Sequence, residues 1–300
     1  MDNQFDKRFP WAHLNRYMQK GQAFFESGGN SLPLRAKSLI SRSPTSTLHQ
    51  QGFTIMIHDL SEILFLDIET VPAYRNISEV PEDLKEIWIE SNTKRRKKKV
   101  VEDEDDGEAP PGAGPSIQDA GQAGYDEGAG LKAEFGKTIC VSLGHFEGGT
   151  ADENFRIYSL SSHNESEILT QLAAVFEKYS TFKLCAHNGK GFDFPFLGKR
   201  FLINGIPLPS QLDIMGKKPW DILHLDTNEM WAFGARGAGT GAKLKLLCAV
   251  FGIPSPKDDI DGSEVRGVYY EENDLPRIVK YCEKDVISLA KVFKKLQGFP

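Results

Sequence analysis

Apolar and polar positions along the chain fall into two kinds of run. Short apolar runs of strand length alternate with longer stretches in which apolar residues recur at helical spacing. EILFLDI (62–68), KTICVSLGHF (137–146) and NFRIYSL (154–160) read as strands, with a turn around Glu147–Thr150 joining the last two. NESEILTQLAAVFEKY (164–179) has helical periodicity behind a polar cap. KLCAHN is a fourth strand, FPFLGKRFLING a helix stopped by Asn-Gly, and ILHLD (222–226) a short fifth strand. KLKLLCAVFG is a helix halted at Gly252, and DLPRIVKYCEKDVISLAKVFKKLQ a long amphipathic helix. Three strands, then helix, strand, helix and a terminal helix predict a mixed α/β sheet.

Two regions break the pattern. Residues 1–55 carry scattered aromatics without a sustained period, and SLPLRAKSLISRSPTSTLHQQG is rich in Ser, Pro and polar residues. They are expected to be a disordered extension before a folded domain over 56–300. Met56 is a candidate natural start, with a mildly basic targeting segment as the alternative. The second region is 92–130: six basic residues, Lys94–Lys99, then an acidic run from Glu102 to Glu108, then PPGAGPS. Opposed charge blocks with Pro and Gly predict a solvated, mobile insert. Its basic run either pairs loosely with the acidic one, brushes a phosphate backbone, or serves nuclear import.

Composition narrows the class. The net charge of −6 excludes a basic coat protein for nucleic acid, but not a nuclease with a local basic groove. The four cysteines, Cys140, Cys185, Cys248 and Cys282, form no CxxC pair and read as reduced core thiols of a cytoplasmic protein. A zinc site at these spacings is not expected. No apolar run has membrane-spanning length, and the N-terminus lacks a signal-peptide layout.

The acids then stand out. ILFLDIETVP puts Asp67 and Glu69 at the end of an apolar strand, two apart and so on one face. Buried carboxylates need a compensating partner, and this spacing lets two share a cation. CAHNGKGFDFPFL puts Asn188 at a strand end and Asp193 at a helix start, where capping is the plainer role. YCEKD puts Tyr281 and Asp285 four apart, on one face of the last helix.

LDIET, HNGKGFDFPF and YCEKD together resemble the three motifs of the DEDD exonuclease superfamily. Tyrosine four before the last aspartate marks the DEDDy branch; the histidine branch has His where this chain has Lys280. The chain is most similar to stand-alone predicted 3′–5′ exonucleases related to the proofreading domain of family-B DNA polymerases. KPWDILHLDT and GIPSPKDDIDGSEV share that likeness, which spans roughly residues 60–298 apart from the insert. The resemblance implies a ribonuclease H-like fold, a mixed five-stranded sheet flanked by helices. It also implies two divalent ions, Mg²⁺ or Mn²⁺, held by Asp67, Glu69, Asp193 and Asp285. Asp67 would bridge the ions, Asp193 would bind one, and Glu69 and Asp285 would hold the other. Tyr281 would orient the attacking water, and 5′-mononucleotides would leave a 3′ end.

Candidates for substrate contact are Thr70, Asn188, Phe192, Lys217, Lys218 and Lys243, with Trp220 a stacking candidate. The expected partner is single-stranded nucleic acid, with DNA favoured. RNA trimming at the same site and an inactive nucleic-acid-binding module are the alternatives. No polymerase-like sequence follows the last helix, so proofreading in cis is not expected.

Overall fold

Side-chain parity along one strand organises the molecule. The computed structural model describes residues 47–50, 53–56, 58–103, 117–235, 240–254 and 259–299. Strand β1, Ile63–Pro72, sends Leu64, Leu66 and Ile68 into one apolar cluster and Ile63 and Phe65 into another. That is the period of two that a pleated strand imposes. Four further strands complete its sheet: β2 (Gly136–Phe146), β3 (Phe155–Ser161), β4 (Lys183–Ala186) and β5 (Leu225–Asp226). Their order is β3-β2-β1-β4-β5. β2 runs antiparallel to both β3 and β1, and β4 and β5 join parallel to β1. This is the ribonuclease H-like arrangement that the motifs implied.

Among the described residues the α-helices, in chain order, are α1 (Glu82–Asp103), α2 (Ile117–Gly128), α3 (Glu165–Lys178), α4 (Asp193–Ile203), α5 (Thr227–Trp231), α6 (Leu244–Phe251), α7 (Val265–Tyr270) and α8 (Leu275–Leu296). α3 and α4 cover one sheet face with Ile168, Leu172, Phe176, Phe194, Leu197 and Phe201. α8 covers the other, packing Val286, Leu289 and Phe293 on Phe65 and Cys185. Pro276 lies in its first turn, and Asp274 caps it by accepting from the Arg277 amide at 3.1 Å. Small residues, Cys140, Ser142 and Gly144, alternate along β2, and a Cβ on Gly144 would lie 2.3 Å from the Phe155 ring of β3. Among the described residues no helix is long and apolar enough to cross a membrane.

The ladder between β1 and β2 slips by one residue between Glu69 and Thr70, so β2 carries one extra residue there, Ile139. Such bulges bend and twist a strand locally. The Thr138 amide beside it donates to Glu165 at 2.7 Å. Glu165 in turn receives Arg200 Nε at 2.9 Å and Asn204 Nδ2 at 2.9 Å, and Arg200 also donates to the Ala133 carbonyl at 2.7 Å. The buried ion pair thus ties α3, α4 and the bulge together.

Two expectations change. The insert placed over 92–130 is in part regular structure. α1 runs through the basic residues to Asp103, and α2 buries Tyr125 beside Trp88 at a ring separation of 5.4 Å. Tyr125 and Ala129 of that stretch fill one small cluster with Val80 and Trp88, which a composition argument overlooks. Residues 104–116, most of the acidic run and PPGAGPS, lie outside the described residues. In the supposed extension, Thr47–Gln50 pairs antiparallel with Phe53–Met56; residues 1–46 lie outside the described residues.

Arg200→Ala leaves Glu165 buried without a cation, and should lower stability by about 3–5 kcal/mol. A urea denaturation series checks this. The double replacement Arg200→Met with Glu165→Gln should recover most of the loss.

Candidate active site

Asp67 and Glu69 follow the parity of Ile63 and Phe65, so both point to the α8 side of the sheet. Their cross-strand partners are Ser142 and Cys140, two small residues that leave room beside the carboxylates. Ser142 hydrogen-bonds Ser159 at 2.8 Å, and Ser159 donates to Glu283 of α8 at 2.8 Å. That line seats α8 next to the acids. Val71, further along the same face, packs with Ile278 and Tyr281.

On α8, Tyr281, Cys282 and Asp285 are buried and turned to the sheet. Tyr281 and Asp285, one helical turn apart, are hydrogen-bonded to each other. Cys282 donates through Sγ to both the main-chain oxygen and Oδ2 of Asp67, each at 3.4 Å. Ligand-type atoms of Asp67, Glu69 and Cys282 lie within 4.8 Å of one another.

Asp193 arrives from the other direction. β4 pairs with β1 only as far as Phe65↔Cys185 and ends at Ala186, which leaves the edge of β1 open beyond that point. The chain turns at Asn188, which has φ 65°, and re-enters as α4 with Asp193 at its first position. The Ile68 amide on the open edge donates to the Asp193 carboxylate. Gly189 cannot carry a side chain here, because a Cβ would lie 2.4 Å from that of Ala186. Three sequence segments thus deliver four carboxylates and a phenol to the end of β1.

The remaining candidates scatter. The Thr70 hydroxyl donates to the Gly130 carbonyl at 2.7 Å. Asn188 is exposed, and Phe192 is half-buried against Phe196 with ring centroids 5.3 Å apart. Lys217, Lys218 and Lys243 are exposed; Lys218 Nζ stands 5.3 Å from the ring centre of Trp220. Lys243 precedes α6.

Sequence reasoning missed Asp226. Its buried carboxylate accepts from the amides of Asn188 (2.9 Å), Lys190 (3.1 Å), Asn228 (2.9 Å) and Glu229 (3.3 Å). The D-x-x-E pattern of residues 226–229 signals a helix cap, but nothing in it signals the reach back to 188 and 190. Cys282 was also read only as a core thiol.

The electrostatics follow from crowding. Burial pushes the Asp67 carboxyl well up, and the charges of Asp285, Glu69 and Asp193 add to it, opposed by the Cys282 hydrogen bond. Burial raises Asp193 to about 7; the Asp226 charge adds, while the amides of Asp193 and Ile68 pull the other way. Burial, then Asp285, Glu69 and Asp67, raise the Tyr281 phenol. Burial first, then Cys140 and the two acids, raise the Cys282 thiol. Carboxylate oxygens dominate this donor set, which suits a hard cation such as Mg²⁺ or Mn²⁺, and so it fits the implied ions.

The sheet order and the acid-lined end of its central strand set the chain among ribonuclease H-like α/β proteins. Residues 130–299 match the family of predicted 3′–5′ exonucleases related to the exonuclease domain of PolB, and the chain belongs to that family. The matched span contains Asp193, Tyr281 and Asp285; Asp67 and Glu69 lie before it. Among solved structures, the chain is similar to the family B DNA polymerase from the hyperthermophilic archaeon Pyrobaculum calidifontis. That similarity has 14% identity and a TM-score of 0.47 over 82% of this chain, which spans 25% of the polymerase. No curated protein matches.

Asp193 binds its proton more tightly folded than unfolded, where Asp titrates near 3.8. Its ionisation therefore destabilises the metal-free fold, and stability rises as pH falls from above 7 toward 4, by at most about 1.4 kcal/mol per pH unit for one carboxyl. Urea midpoints of metal-free protein should be higher at about pH 6 than at about pH 8. Asp193→Asn should flatten the difference, and excess Mg²⁺ should raise the pH 8 midpoint most.

Proposed function

We propose that this exonuclease hydrolyses single-stranded DNA from the 3′ end and releases 5′-mononucleotides. The observation that carries the reading is the convergence of Asp67, Glu69, Asp193, Asp285 and Tyr281 from three segments at one strand end. The family's relation to a DNA polymerase domain supports DNA over RNA. The exonuclease domain spans 56–300, and the protein works in the cytoplasm.

Asp67, Glu69, Asp193 and Asp285 would hold two Mg²⁺ or Mn²⁺ ions. When bound, such ions supply Lewis-acid stabilisation of the phosphoryl group and a nucleophile at neutral pH. The chain's own residues do the rest. Tyr281 stays protonated, because burial and three nearby carboxylates oppose loss of its proton. A neutral phenol hydrogen-bonds and orients water; it does not act as the base. Asp285, hydrogen-bonded to Tyr281, fixes the ring's direction. Thr70, Asn188, Phe192, Lys217, Lys218 and Lys243 are the contacts proposed for the strand, the lysines meeting phosphates and Phe192 a base face.

The test uses 5′-labelled single-stranded DNA and RNA of one sequence, with Mg²⁺, Mn²⁺ or EDTA. A metal-dependent ladder that shortens DNA from its 3′ end is expected. Asp193→Ala should abolish it, and Tyr281→Phe should slow it by about 100-fold. Faster loss of RNA would make the enzyme an RNA trimmer. Binding without cleavage under both metals would make it a binding module.

A further inference from the structure

The loop that carries Asp193 is held by a residue thirty-odd positions later in the chain. Its backbone polar groups can be followed one by one, as buried or constrained main chain requires. The amides of Gly191 and Phe192 donate to the Asn188 carbonyl, at 3.0 and 2.9 Å, and the Phe194 amide donates to the Gly189 carbonyl at 3.0 Å. Those bonds fold the loop onto itself. The amides of Asn188 and Lys190 point outward, and both end on Asp226.

Asp226 is well placed to anchor them. It is 4% exposed, at the end of β5 in parallel pairing with Ala186, the last residue of β4. The neighbouring residues reinforce the strap. His187 Nδ1 meets Thr227 Oγ1 at 2.9 Å, and its Nε2 meets the Ala242 carbonyl at 2.7 Å. Asn228 Oδ1 accepts from the Ala242 amide at 2.8 Å. The loop itself has little freedom to hold its shape otherwise. Asn188 sits in the left-handed region, and a Cβ on Gly191 would lie 2.7 Å from Asn188 Oδ1.

We propose that Asp226 is a positioning residue for the catalytic centre: by receiving the amides of Asn188 and Lys190 it sets the loop from which Asp193 faces Asp67. The assignment rests on Asp193 being a metal ligand. The two oxygens of Asp226 divide the work. Oδ1 accepts from Asn188, Asn228 and Glu229, whereas among the described residues Oδ2 accepts from Lys190 alone. Asn at 226 keeps the three bonds of Oδ1 and sets an NH₂ donor against the Lys190 amide. Two donors then face each other, and the loop must shift while the cap of α5 survives.

The experiment follows full-length wild type, Asp226→Asn, Asp226→Ser and Asp193→Ala through three readouts: melting temperature, Mn²⁺ binding measured by the paramagnetic resonance of free ion, and single-turnover release of the 3′ nucleotide. Ser retains a helix cap but is too short to serve the loop, so it stands in if the Asn variant is poorly folded. In Asp226→Asn, Mn²⁺ affinity should fall roughly tenfold and cleavage about 100-fold, with KM for the strand changed less than about threefold. Wild-type Mn²⁺ binding and rate in both Asp226 variants, whatever their melting temperatures, would reduce Asp226 to a structural cap. Wild-type Mn²⁺ binding in Asp193→Ala would overturn the proposal at its premise. If wild type cleaves neither DNA nor RNA, the exonuclease reading fails by itself, and the Mn²⁺ titrations still decide the role of Asp226.

Discussion

Mutual repulsion among carboxylates is the constraint to which the rest of the structure answers. Asp67 feels the charges of Asp285, Glu69 and Asp193, and like charges a few ångströms apart repel by kilocalories even where the effective dielectric is high. Flexible side chains on loose loops would simply swing apart. Here the acids are mounted on parts that cannot yield separately: the central strand, the helix packed on that strand, and the first turn of a helix at the strand's open edge. Neutral donors sit among them. The Ile68 amide and the Cys282 thiol each give a hydrogen bond to a carboxylate, which lessens the penalty without supplying a competing cation.

Those mountings differ in how they show in sequence. The strand was legible because ILFLDIET alternates, and alternation alone puts Asp67 and Glu69 on one face. The long helix was legible because Ile278, Tyr281, Cys282, Asp285 and Leu289 recur at its period. Asp226 was not, because its work is done on main-chain amides of another segment, and backbone carries no sequence signal. Nor did Tyr125 and Trp88 announce themselves: they meet only when two helices separated by a charged stretch are brought together. Patterning records what faces the core within one element. It is silent on contacts between elements that run through backbone atoms.

The two sheet faces serve unlike ends. Beneath α3 and α4 lies a conventional apolar layer, closed at its rim by the Arg200–Glu165 pair, which also takes the amide beside the bulge. Beneath α8 the layer thins from Phe65 and Phe293 to Ser142, Cys140 and the acids within one strand length. Firm packing at one end of α8 thus fixes the angle at which its other end presents Tyr281 and Asp285. The same bulge that interrupts the ladder after Glu69 is braced from behind by the Thr138–Glu165 bond.

The excursion from Pro72 to Gly136 has a consequence for how such a chain tolerates change. It leaves and returns on antiparallel neighbours, Pro72↔Gly136, and the Ala73 amide closes its neck on the Phe135 carbonyl at 2.8 Å. Everything beyond that neck is topologically a hairpin loop. The entropic cost of closing a loop grows only with the logarithm of its length, so lengthening it from a few residues to several dozen costs about 2 kcal/mol. Asp67 and Glu69 sit on β1, one of the two strands that form the neck, and Asp193 and Asp285 on elements reached later. Residues added beyond this point therefore change the surface outside the neck while the pairing of the strand that carries Asp67 and Glu69 stays as it is.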